Sequence, residues 1–125
     1  MKSIRSSEIL AAVQGAAAIP TLMSGDTGLP MTVYLLTRDA SPYGPRIEVS
    51  REHDPQPPLN QLVSVSISDD PKIVGGGWLP GDDLRLVRSW ILLNEDVLLR
   101  YWKYAPPLPN MMAALRPLGR PRGRK

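Results

Sequence analysis

The chain has 125 residues, enough for one domain around one hydrophobic core and too few for two. It has no cysteine and a single histidine, His53, which excludes disulfides, thiolate metal sites, a cysteine nucleophile and any site built on two imidazoles. Its net charge of +3 resides at the end of the chain: Arg116, Arg120, Arg122, Arg124 and Lys125 supply five positive charges, which leaves residues 1–115 near −2 and without the clustered cations of a nucleic-acid surface.

Residues 1–30 read as an N-terminal extension holding a short helix over residues 6–18 or little regular order. Lys2 and Arg5 ahead of an apolar run are similar to the start of a secretory signal, but Glu8, Gln14-Gly15 and Pro20 break that pattern. Met31 offers an alternative start of translation. No stretch approaches the roughly 20 apolar residues that a membrane span needs.

The domain proper is expected over residues 31–118. Thr32–Thr37 has the β-branched and aromatic bias of a strand, and Arg46–Ser50 alternates charged and apolar residues as a half-buried strand does. The turn-forming run Asp39–Pro45 between them predicts a hairpin. Residues 51–61 contain three prolines and read as a loop. Leu62–Ser68 gives the cleanest alternation in the chain: Val63, Val65 and Ile67 would face the core, and Ser64, Ser66 and Ser68 would face water or a partner. Lys72–Val74 is a short strand. Gly75-Gly76-Gly77 then reads as a connector, because the Lys and Ser or Thr that follow a phosphate loop are missing.

From Asp82 the period becomes helical, with Gly81 or Asp82 as N-cap and two carboxylates in the first turn. Leu84, Val87, Ile91, Leu98 and Trp102 form one apolar row, and Leu86, Trp90, Leu93, Val97 and Tyr101 widen it. Pro106-Pro107 stops this helix, and residues 109–115 add a short one whose Met111, Met112 and Leu115 pack back. Residues 119–125 form a basic tail unable to build a core of its own. The expected fold is α+β: a small antiparallel sheet of three to four strands packed on one long amphipathic helix.

Few residues carry candidate chemistry. His53, flanked by Arg51, Glu52 and Asp54, could act as a general base, although such a run is also what a solvated loop contains. Asn94 interrupts the apolar helix face, so its amide must cap a break or bond to the sheet or a partner. Asp69-Asp70 and Asp82-Asp83 could bind a hard cation, but turn and capping roles account for both pairs more simply, and neither a metal nor a cofactor is expected. Arg120, Arg122, Arg124 and Lys125 could give weak, salt-sensitive contact with nucleic acid.

The segments Ile47–Ser50, Val65–Pro71 and Gly77–Pro80, and above all the helix Leu84–Trp102 with Trp90, Asn94, Leu98-Leu99 and Trp102, are similar to a family of small bacterial proteins classified only as a domain of unknown function. The resemblance spans about residues 31–118. It implies a cytoplasmic protein of a toxin–antitoxin-like or mobile-element gene pair, with a small protein partner encoded next door. Many members carry an Arg-Glu-His loop followed by Pro-His-x-His. Arg51-Glu52-His53 matches the first part, whereas Pro57-Pro58-Leu59-Asn60 stands where the later histidines would be.

The leading expectation is therefore a component that acts by protein–protein interaction, with Asn94, Ser64 and Ser66 as candidate contact residues. The first alternative is an RNA-cleaving toxin in which His53, Arg51 and Glu52 serve as acid, phosphate binder and base while the tail holds substrate. The second is a homodimer formed through a sheet edge or the broad helix face.

Overall fold

The computed structural model describes Ile9 and residues 19–39, 44–53 and 61–119. Five strands form one sheet in sequence order: β1 (Thr21–Leu22), β2 (Val33–Leu35), β3 (Arg46–Ser50), β4 (Leu62–Ser66) and β5 (Ile73–Gly75). All neighbours are antiparallel, so the expected hairpin of β2 and β3 is present, with Tyr34 opposite Glu48. A single turn of helix, α1 (Ser24–Thr27), follows β1; the long α2 (Gly81–Tyr104) and the short α3 (Leu108–Ala114) complete the fold. The architecture is α+β.

The expected count of three to four strands is one short, because Thr21-Leu22 adds an edge strand against Tyr34 and Val33. Leu22 and Leu29 are fully buried in the main core, so the packed unit begins ahead of residue 31. Ile9 is also buried and helical, while the rest of the helix expected over residues 6–18 lies outside the described residues.

The sheet's two faces differ. Val33, Leu35, Ile47, Val49, Val63 and Val65 meet Val87, Trp90, Ile91 and Leu98 of α2 in one core. Each large side chain removed from water there contributes about 1.5–3 kcal/mol before entropy. On the opposite face Tyr34, Leu36 and Leu62 form a second cluster with Ile9. This sheet is covered on both sides.

α2 starts one residue earlier than expected, with Pro80 in the N-cap position, and ends where Ala105 adopts a left-handed conformation at φ +46° ahead of Pro106-Pro107. Asn94 has non-helical angles (φ −121°, ψ 18°), which kinks the helix in its middle. Leu93, placed in the second apolar row, is exposed: the buried positions Asp83, Val87, Trp90, Asn94, Leu98 and Tyr101 keep one helical phase through the kink, and Leu93 lies off that face. Leu84 and Trp102 are only partly buried, while Trp90 and Tyr101 are buried.

Candidate functional site

The sole histidine lies where the loop after β3 meets the start of α2. His53 Nε2 is 2.9 Å from Asp83 Oδ2, with the imidazole half exposed and the carboxylate nearly buried. Asp83 is in the first turn of α2, where the unpaired backbone amides of a helix start favour a carboxylate. The expected trio is not assembled as an acid, a phosphate binder and a base. Arg51 turns away to donate from Nη2 to the Gly76 carbonyl oxygen at 3.4 Å, and Glu52 is exposed. The carboxylate that orients His53 comes from 30 positions further along the chain.

Glycine is required beside this loop. Gly76 has φ +86°, and a Cβ there would collide with the Leu62 carbonyl oxygen and Ile9. Gly77 has φ +121°, with the Arg51 guanidinium beside it. These two glycines thus shape a close crossing of chain segments.

The serine face of β4 is not wet at its centre. Ser64 is fully buried, donates to Glu48 Oε1 at 2.5 Å and accepts from Arg46 Nε at 3.2 Å. Arg46 and Glu48 are themselves buried and paired at 2.6 Å. Burial pushes the Glu48 carboxyl above its ordinary range, with the Arg46 guanidinium and Ser64 hydroxyl opposing. Ser66 is half-buried, and its Oγ accepts the Lys72 amide at 3.0 Å, closing the β4–β5 turn. Both serines expected to meet water or a partner are therefore engaged within the sheet.

Asp70 pairs with Lys72 at 3.3 Å and with Arg88 at 3.2 Å, and these hydrogen bonds hold its carboxyl below the usual value. Asp82 pairs with Arg85. Among the described residues no group of three or more His, Cys, Asp or Glu side chains could hold a metal ion. No described helix is long and apolar enough to cross a membrane.

Asn94, buried at the kink of α2, holds the chain after α3 against the helix. Its Nδ2 donates to the Trp90 carbonyl oxygen at 3.1 Å and to the Arg116 carbonyl oxygen at 2.9 Å, and its Oδ1 accepts the Arg116 amide at 2.7 Å. Two residues on, the Leu118 amide donates to Thr27 at 2.6 Å. The segment is clamped at both points. Asn94→Ala is expected to cost about 1–3 kcal/mol, because Arg116 loses partners for its backbone amide and carbonyl. Asn94→Asp should be no milder, since its carboxylate would face two carbonyl oxygens. Chemical denaturation reads both, and a loss below about 0.5 kcal/mol for Asn94→Ala would show that the clamp contributes little.

This clamp forms the rim of a cleft between α2 and α3, with a volume of about 390 Å³. Val97, Pro106, Met111 and Ala114 give it apolar walls, and Asp96, Arg100, Asn110 and Arg116 are its polar lining. Sequence reading missed this site. Its residues read as parts of the long helix, its proline stop, a short packing helix and the start of the basic tail, and nothing local shows that Arg116 and Arg100 line one cleft. Arg120, Arg122, Arg124 and Lys125 lie outside the described residues. Comparison with known proteins finds no family model, curated protein or solved structure that matches this chain, so the family resemblance rests on the quoted residues alone.

Proposed function

We propose that this chain is the protein-binding member of a bacterial two-protein system of the toxin–antitoxin or mobile-element kind, acting in the cytoplasm on a small protein encoded beside it. The observation that carries the reading is the cleft between α2 and α3: it is concave, joins an apolar wall to a polar one, and is rimmed by a segment that Asn94 holds in place before any partner arrives. A preformed surface binds without first losing the entropy of ordering its own rim. Leu92 and Leu93 on α2 and Tyr104 and Leu108 at the α2–α3 corner add exposed apolar side chains of the kind that interfaces use. Meanwhile Ser64, Ser66, Asn94 and Arg51 are bonded within the fold.

A second reading, an RNA-cleaving toxin, draws on the His53–Asp83 contact, since a carboxylate at 2.9 Å orients an imidazole. One set of experiments separates the two. Co-expression with the neighbouring gene product should yield a stoichiometric complex by size exclusion and light scattering, and any growth effect of the chain should survive His53→Ala. Recovery of free monomer alone would sink the binding reading, as would a growth arrest that His53→Ala abolishes. A mass near twice 13.8 kDa would replace it with a homodimer.

A further inference from the structure

We infer, on the basis of the protein-binding reading, that the α2–α3 cleft takes a segment of the partner in which an acidic side chain lies beside an apolar one, the carboxylate pairing with Arg100. Cleft size argues for a segment: about 390 Å³ admits one or two side chains and their backbone. The nature of the apolar half follows from Val97, Met111 and Ala114, which offer surface to an aliphatic side chain.

The acidic half follows from how the cleft's charges are already used. Arg116 donates from Nη1 to the Leu93 carbonyl oxygen at 2.7 Å and lies 3.8 Å from Asp96 Oδ1, so these two lining charges answer each other. Arg100 lines the same cleft, is exposed, and has no ion pair with any described residue. The cleft therefore carries one surplus guanidinium beside an apolar wall. A guanidinium receives a carboxylate through two parallel hydrogen bonds, and an apolar wall at one side reduces the water that competes for them.

The test uses the full chain, isotope-labelled for amide NMR, titrated with three probes: a capped hexapeptide alternating leucine and glutamate, its leucine–lysine counterpart, and a uridine hexanucleotide. The glutamate peptide should shift the amides of Val97, Arg100, Met111 and Ala114 saturably. Arg100→Glu should weaken it by about fivefold or more, the scale of reversing one surface charge, whereas Arg85→Glu on the exposed side of α2 should not. No saturable shift in the cleft, equal binding of the lysine peptide, or indifference to Arg100→Glu would overturn the inference. Preferential binding of the hexanucleotide at Arg100 would replace it with a nucleic-acid site. Because the titration needs no partner, its failure sinks the cleft proposal whatever co-purification shows. A positive titration with failed co-purification sinks only the pairing with the neighbouring gene product.

Discussion

Glu48→Leu is expected to destabilise the fold by about 3–5 kcal/mol, a large share of the total for a domain of this size, because it removes the carboxylate that answers a buried guanidinium. Arg46 and Glu48 are both buried on β3, 2.6 Å apart, with Ser64 of β4 bonded to each. The double variant Arg46→Met/Glu48→Leu should recover much of the loss, since it removes the guanidinium together with the carboxylate paired to it. A double-mutant cycle by chemical denaturation would measure the coupling. Additive losses would show that the pair does not interact.

The same group gives a pH dependence. Burial raises the folded-state pKa of Glu48 above its ordinary value of 4.5. Between those two values the folded state holds more protons than the unfolded chain, so this group's contribution to stability falls as pH rises and is fully present below the ordinary value. Wild type should therefore gain stability relative to Glu48→Gln as pH is lowered from neutral toward 4.5. An opposite slope in the difference would mean that Arg46 and Ser64 outweigh burial.

That buried pair also shows where the sequence was legible and where it was not. Arg46–Ser50 and Leu62–Ser66 were readable as strands, because alternation reports the period of the backbone whatever lies on either side. The same alternation could not say that the polar side of β3 and β4 is buried, since Arg46-x-Glu48 opposite Ser64 reads like a solvated face. Only the second cluster around Ile9, Tyr34, Leu36 and Leu62 shows otherwise. β1 escaped notice because two residues carry no periodic signal and their pairing with Val33 and Tyr34 is set by tertiary structure.

At the candidate sites, residue types were more legible than partners. Asn94 stood out as a polar break in an apolar row, but its bonds reach 22 positions ahead. Asp82-Asp83 read as a helix-start pair, and nothing local distinguished the residue that faces Arg85 from the one that faces His53. The α2–α3 cleft was hidden for the same reason: it forms where two helices and residue 116, held by Asn94, come together in the tertiary structure.

Trp90→Ala should cost about 3–5 kcal/mol and lower Tm by on the order of 10–20 °C, because Trp90 is a fully buried side chain at the centre of the main core and its removal leaves a cavity facing β-strands that cannot close in. Trp90→Phe is the informative companion. The indole Nε1 is buried and finds no acceptor among the described residues, and an unsatisfied donor of this kind costs about 1–3 kcal/mol. Phenylalanine loses some packing volume but removes that donor, so the two effects oppose and the net change should stay within about 1.5 kcal/mol. Thermal and chemical denaturation of the two variants side by side would separate the contributions. If Trp90→Phe were as damaging as Trp90→Ala, the indole nitrogen would have to be bonded in solution, and the kink at Asn94, one turn further along α2, would be the place to seek its acceptor.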